Sequence, residues 1–255
     1  MRVAVIQLAS GVDSSANRRL IDRRLGEIDE ADLVLLPEAT MHDFGSADHD
    51  LAAPAESLDG PFVEVLAGHA GRIGATVVAG MFERTAALPF NTLVAVGPSG
   101  DLVATYRKVH LYDSFGYRES DRLAPGAIEP VVVDVAGTPV GLMTCYDLRF
   151  PEMARFLVDA GAEVMALPAA WVAGEHKLHH WRTLLTARAI ENTVAVVSAA
   201  QSAPRYTGHS TIIDAMGLTL AEAGDADETI EAVISPDNVS AARDVNPSLA
   251  NRRMR

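Results

Sequence analysis

The sequence predicts an α/β protein built on mixed β-sheets. Three observations carry this. The chain begins strand, helix, strand, which is the start of a parallel crossover. Two later pairs of strand patterns flank glycine-containing turns, Gly97-Pro-Ser-Gly-Asp101 and Met216-Gly217, and so read as antiparallel hairpins. The strand patterns are numerous enough for two sheets with helices covering their outer sides.

The elements follow in order. Val3 to Leu8 reads as a buried strand. Asp13 or Ser14 caps a helix whose apolar face is Leu20 or Ile21, Leu25 and Ile28. Asp32 to Leu36 is the next strand, ended by Pro37-Glu38, and Asp43 to Leu58 has no period and reads as a loop. Gly60-Pro61 opens a helix with Phe62, Val65, Leu66 and Ile73 on one face, followed by a strand at Thr76–Ala79. Asn91–Val96 and Leu102–Tyr106 form the first hairpin, and a polar stretch runs on to Pro125-Gly126. Val131–Val135 and Val140–Thr144 are strands around Gly137. Cys145 follows, then a short turn and a helix through Met153, Phe156, Leu157 and Ala160. Glu163–Leu167 is a strand stopped by Pro168, Glu175–Asn192 a long helix, and Val194–Ser198 a strand. His209–Asp214 and Leu218–Ala221 make the second hairpin, and Thr229–Ile234 is the last strand. Residues 1–255 read as one domain, with 237–255 as a polar C-terminal arm.

The 255 residues are 49% hydrophobic and 22% charged, enough for a large core. A net charge of −13 and a pI near 5.0 argue against nucleic acid or an anionic membrane as partner. There is no signal-peptide layout at the N-terminus, and no apolar run approaches the roughly 18 residues of a membrane span. Cys145 is the sole cysteine, so it has no intrachain disulfide partner and cannot build a cysteine zinc site. The expected compartment is the cytoplasm.

Three strand ends carry a chargeable or reactive residue just past an apolar run: Glu38, Lys108 and Cys145. Each has a plain alternative. Glu38 and Lys108 would be solvated loop charges, and Cys145 a small buried hydrophobe. Together their chemistry is complementary. A carboxylate takes the thiol proton, the thiolate is the nucleophile, and an ammonium stabilises an oxyanion. That set suffices for acyl transfer without metal or cofactor.

Leu35-Leu-Pro-Glu38, Tyr106-Arg-Lys108-Val-His-Leu and Cys145-Tyr-Asp-Leu-Arg-Phe-Pro-Glu152 resemble the three signature blocks of the nitrilase superfamily of carbon–nitrogen hydrolases. Arg118-Glu-Ser120, Pro125-Gly126, Leu167-Pro-Ala-Ala-Trp171, His180-Trp181, Ala187–Asn192 and Gly208-His-Ser210 resemble later landmarks in the same order. The resemblance covers nearly the whole chain. It implies a four-layer αββα sandwich with two mixed β-sheets. It also implies Glu38 as general base, Cys145 as nucleophile and Lys108 as oxyanion partner. The Tyr146 backbone N–H would be the second oxyanion donor, and Glu119 would orient Lys108 or the attacking water. Ala170 and Trp171 fall on the substrate-loop strand.

Cys145-Tyr-Asp-Leu-Arg-Phe-Pro-Glu152 looks most like the ω-amidases and the deaminated-glutathione amidases, which act on amides of small carboxylic acids. The expected reaction is hydrolysis of a small carboxamide through a cysteine thioester, with nitrile or N-carbamoyl hydrolysis as alternatives. An anionic substrate on so acidic a chain needs a local cation, for which Arg149 is the first candidate. The competing reading of Arg149 is a buried salt bridge to a carboxylate such as Glu191. Tyr112, Tyr117 and Tyr146 are candidate pocket walls. His176 and His180 share a helical face, as zinc ligands do, but no third ligand is apparent and no metal is expected. A cysteine hydrolase of unrelated type, pairing Cys145 with His110 or His209, a non-catalytic binding relative, and an acyltransferase use of the thioester stay open. The family also implies a homodimer or a larger assembly of dimers, paired through the helices near Cys145 and Ala187–Asn192.

Overall fold

A computed structural model describes residues 1–114 and 116–254, without the side chain of Pro236. Phe115, in the compact Asp113–Tyr117 loop, and Arg255, at the end of the arm, lie outside the described residues. The order is β1 (Arg2–Gln7), α1 (Ser14–Gly26), β2 (Leu33–Leu35), α2 (Pro61–Ile73), β3 (Thr76–Glu83), β4 (Phe90–Val96) and β5 (Leu102–Arg107). A two-stranded ribbon follows, β6 (Asp113–Ser114) and β7 (Tyr117–Arg118), then β8 (Val132–Val135), β9 (Thr138–Leu142), α3 (Pro151–Asp159) and β10 (Val164–Ala169). The chain closes with α4 (Lys177–Asn192), β11 (Ala195–Ala200), β12 (Thr211–Ile213), β13 (Thr219–Glu222), β14 (Glu228–Val233) and α5 (Pro236–Val245).

Two six-stranded sheets result, ordered β14-β1-β2-β3-β4-β5 and β13-β12-β11-β10-β9-β8. Each has a parallel centre, β1-β2-β3 or β9-β10-β11, flanked by antiparallel strands. Central strands buried on both faces read as continuous apolar runs, which is how they stood out in the sequence. Val3, Val5, Leu33 and Leu35 pack in one cluster with Val140, Leu142, Val164 and Val197, which fills the space between the sheets. Ile21 and Leu25 of α1 and Phe62 and Leu66 of α2 cover the other side of the first sheet with Ala4, Ile6 and Val34. Leu157 of α3 and Trp181 and Leu185 of α4 cover the second. The layers are therefore α, β, β, α.

The N-cap of α1 is Asp13, whose carboxylate accepts from the N–H groups of Ser15 and Ala16. Several boundaries differ from expectation, and three of these differences have a clear structural basis. β3 runs to Glu83 rather than Ala79, because β4 pairs with it residue for residue as far as Phe90. β10 continues through Pro168 to Ala169; its last pair with β9 is at Ala166, so Pro168 sits where one side of the strand has no neighbour to bond. The arm starts with α5, whose Val239 and Ala242 bury against Ala215. No described helix is long and apolar enough to cross a membrane.

Candidate active site

The three strand ends converge. β2 and β5 run the same way, since β3 is parallel to β2 and two antiparallel pairings separate β3 from β5. Their carboxyl ends deliver Glu38 and Lys108 to one edge, the usual place for a site in an α/β sheet. The ends of β9 and β10 bring Cys145 and Ala170 to the same edge from the other sheet.

Glu38 sits on a tight bend held by three neighbours. The Gly80 N–H donates to Pro37 O at 3.1 Å, the Met41 N–H to Gly80 O at 3.1 Å, and Gln201 Nε2 to Glu38 O at 2.9 Å. β3 passes so closely that a Cβ on Gly80 would stand 2.6 Å from Ala39 N and 2.7 Å from Glu38 Cα. Position 80 therefore accepts glycine alone without displacing the bend.

Lys108 follows β5, its N–H donating to Asn91 O at 2.8 Å and its carbonyl accepting from Gly126 N–H at 2.9 Å. Its ammonium bridges two carboxylates, Glu38 Oε1 at 2.8 Å and Glu119 Oε2 at 2.9 Å. Asn91 Nδ2 makes the same bridge, to Glu38 Oε1 at 2.7 Å and Glu119 Oε1 at 3.0 Å. Backbone donors complete the pair: Ala170 N–H donates to Glu38 Oε2, and Tyr112 N–H shares Glu119 Oε2 with Lys108, both at 2.7 Å. Burial opposes the Lys108 charge, but Glu119 and Glu38 outweigh it and hold its pKa well above the usual lysine range.

Cys145 opens a 3-10 helix, Cys145–Arg149, with φ of 45°, a left-handed conformation uncommon for a residue with a side chain. Asp147, fully buried, fixes this turn. It accepts from Thr144 N–H at 2.8 Å, the Tyr106 hydroxyl at 2.6 Å, His110 N–H at 3.2 Å and His110 Nδ1 at 2.7 Å. Arg188 Nη2 donates to Leu148 O at 2.8 Å from α4. The Cys145 thiol lies beside the Glu38 carboxylate on the same cavity wall. Burial and the Glu38 charge push that thiol well above its usual pKa, with Lys108 pulling the other way. The resting sulfur is thus a thiol beside a carboxylate.

These groups open on a cavity of about 910 Å³. Of the residues expected at the site, Glu38, Lys108, Glu119, Cys145, Tyr112, Tyr146, Arg149, Ala170 and Trp171 all line it, as does Tyr117. The expected alternative for Arg149 is corrected: Glu191 pairs with Arg188, one turn before it on α4, at 2.8 Å. The Arg149 guanidinium lies 4.7 Å from the Trp171 ring instead. His110 faces Asp147 and stacks on Phe150, and His209 faces Glu222 and Asp225; neither lines the cavity. The His176 and His180 rings are 6.5 Å apart, and among the described residues no cluster of three His, Cys, Asp or Glu is arranged to hold a metal ion. Asn91, Asp147, Gln201 and Lys177 escaped the sequence reading. None of the four left a local signal in the sequence.

A family model described as carbon-nitrogen hydrolase matches residues 2–244. A hydrolase of Mycobacterium tuberculosis is 40% identical over 271 residues, covering 99% of this chain and 95% of that protein. A deaminated glutathione amidase of Escherichia coli O157:H7 is 40% identical over 228 residues, covering 88% and 86%. Among solved structures, a CN-hydrolase superfamily protein of Xanthomonas campestris, with an arsenic adduct in its active site, superposes with a TM-score of 0.89 at 28% identity. It covers 100% of this chain and 98% of that one. A branch 10 member of the nitrilase superfamily from Saccharomyces cerevisiae gives 0.85 at 27% identity, covering 100% and 97%.

Proposed function

From the premise that the chain belongs to the carbon-nitrogen hydrolase family, and so hydrolyses carbon–nitrogen bonds, we propose that it is an amidase acting on small carboxamides that also carry a carboxylate, through a Cys145 thioester. The observation that carries this is the Lys108 ammonium bridging Glu38 and Glu119, with Cys145 beside them on the wall of one cavity.

The steps follow from those contacts. The Cys145 thiol gives its proton to Glu38 as the sulfur attacks the amide carbon. Lys108 faces the oxyanion that forms, with the Tyr146 backbone N–H as second donor. The carbon–nitrogen bond breaks, and the leaving nitrogen takes the proton held by Glu38. Water then gives a proton to Glu38 and attacks the thioester. The sulfur leaves and recovers that proton. Glu119 keeps Lys108 in place and balances its charge when Glu38 is protonated. The chemistry needs no metal or cofactor.

The ω-amide of a dicarboxylic or keto acid fits the cationic Arg149 in the cavity wall. A second reading draws on the cavity's size. About 910 Å³ lies near the upper end of the roughly 300–1,000 Å³ typical of ligand sites, more than one small amide fills. An amide nitrogen with a peptide-like substituent, as in deaminated glutathione, would occupy the rest. Release of ammonia or amine from α-ketoglutaramate, succinamate, deaminated glutathione, an aliphatic amide, a nitrile and an N-carbamoyl amino acid tests both readings. Carboxylate-bearing amides should show the highest kcat/KM, and a preference for the nitrile or the N-carbamoyl compound would overturn the assignment. Phe156 of α3 and Ile190 of α4 are exposed and support a homodimer through those helices, which sedimentation as a monomer would remove.

A further inference from the structure

We propose that Arg122 is a positioning residue for the cavity: its guanidinium joins the loop at residues 44–49 to Tyr117 as one wall, and so sets how closely a substrate is held and which molecules reach Cys145. This goes beyond the amidase reading; one arm of its test rests on that reading and the other does not.

Phe44, Gly45, Ser46 and Ala47 line the cavity from one segment, and Tyr117 lines it from another far along the chain. Both segments bond to Arg122. Its Nη1 donates to Phe44 O and Ser46 O, each at 3.1 Å, and to His49 O at 3.0 Å. Its Nη2 donates to the Tyr117 hydroxyl, and its Cζ lies 5.2 Å from the centre of the Tyr117 ring. A planar fork of five N–H donors can face both partners at once, which a point-like ammonium cannot.

The loop depends on such a centre. Residues 43–49 form neither helix nor strand, so their carbonyls must find donors outside a ladder. Asp43 holds the start of the loop, accepting from Gly45 N–H at 2.8 Å and the Tyr206 hydroxyl at 2.6 Å and pairing with Arg205 at 2.7 Å. The loop then turns back tightly, since a Cβ on Gly45 would stand 2.5 Å from His49 Cγ. Arg122 spans this turn from Phe44 to His49. Burial and then the Arg205 charge push its pKa down, a cost that the converging carbonyls offset.

The reacting groups are fixed by other contacts. Arg122 caps the 3-10 turn Glu119–Asp121 through its backbone N–H, which donates to Glu119 O at 3.0 Å and does so with any non-proline side chain at 122. Gln201, Asn91 and Asp147 hold the bend of Glu38, its carboxylate and the turn of Cys145. Loss of the guanidinium therefore loosens the wall and leaves the acid, the ammonium and the sulfur in place.

Steady-state hydrolysis of succinamate by Arg122→Met is the first arm. KM should rise about tenfold, the value of one hydrogen bond to a charged group, while kcat changes less than about threefold. Arg122→Lys keeps the charge without the fork and should recover part of the KM. The second arm needs no turnover. Cys145 is the sole cysteine, so alkylation followed by mass spectrometry reads that sulfur alone. The rate with a bulky reagent, N-(1-pyrenyl)maleimide, relative to that with iodoacetamide should rise about tenfold in Arg122→Met and less in Arg122→Lys. Circular dichroism checks that both variants are folded. In a folded, active variant, either arm left unmoved overturns the proposal, as does a kcat that falls by as much as KM rises. Loss of the fold in both variants also overturns it, since Arg122 would then serve stability alone. A raised labelling ratio in a protein that hydrolyses no amide keeps the wall and removes the reaction. Turnover with KM and labelling both unmoved keeps the reaction and removes the wall.

Discussion

The Tyr106 hydroxyl donates to Asp147 Oδ2 at 2.6 Å, fastening the strand that carries Lys108 to the turn that carries Cys145. The two residues lie 41 positions apart, one on β5 of the first sheet and the other in the turn that follows β9 of the second, so this contact ties the cation's strand to the sulfur's turn. Asp147→Asn puts an amide N–H against at least one of four donors. It should cost about 2–3 kcal/mol of stability, the value of hydrogen bonds to a buried charge. It should also lower kcat more than it raises KM. Chemical denaturation and steady-state kinetics read the two effects. An unchanged kcat would mean that the turn holds its place without Asp147.

Gly80 gives a sharper steric case. The added methyl of Gly80→Ala meets backbone atoms of Glu38 and Ala39, which cannot rotate away. About 1–3 kcal/mol of overpacking is expected, with loss of activity because the bend carrying Glu38 must shift. Thermal melting and kcat check it; a fully active, equally stable variant would contradict the close approach.

Removing the acid and removing the base should be separable at the sulfur. Burial comes first and the Glu38 charge second among the causes that raise the Cys145 pKa. Glu38→Gln removes the second cause, so thiolate should appear at lower pH than in the wild-type protein while turnover is lost. Thiolate absorbance against pH measures the first effect. A higher titration midpoint in Glu38→Gln would reverse the electrostatic account.

Lys108→Met leaves Glu38 and Glu119 facing each other with no cation between them. Breaking a buried pair in this way costs roughly 3–5 kcal/mol. Lys108→Met/Glu119→Gln should recover part of that stability without recovering kcat. Recovery of turnover in the double variant would remove Lys108 from the chemistry.

The loop beside the cavity should be acid-sensitive. His42 Nε2 lies 2.9 Å from His49 Nε2, and its Nδ1 lies 3.0 Å from Ser14 Oγ. Burial and then the His49 charge lower the His42 pKa, while Asp43 and Asp13 raise it less. The unfolded chain, with an ordinary histidine, therefore takes up the proton more readily below about pH 6.5. The His42 contribution is complete above that pH and is lost as pH falls. The melting temperature should drop between about pH 7.5 and about pH 5.5, less so in His42→Asn. A drop of the same size in both proteins would assign it to other groups.

Glu38, Lys108 and Cys145 were legible because each interrupts an apolar run at a strand end, where a buried strand meets solvent or a crevice. Asn91 and Asp147 were not, since their partners come from 53 and 41 residues away and neither position breaks a local pattern. Arg149 shows the same limit from the other side. The sequence offered Glu191 to it, but Arg188 lies three residues before Glu191 on α4 and takes that carboxylate at 2.8 Å. The β6–β7 ribbon has two residues per strand, too few for alternation to register. The parallel centres of both sheets were plain for the opposite reason, since strands buried on both faces carry their own apolar signature.

The central claim is a covalent acyl group on Cys145. Protein quenched in acid during steady turnover of succinamate, digested and weighed by mass spectrometry, tests it directly. The account predicts a succinyl adduct on the peptide containing Cys145, released by hydroxylamine and absent from Cys145→Ala, which should retain its fold and lose turnover. Hydrolysis at the normal rate by Cys145→Ala, with no adduct on the wild-type protein, would contradict it.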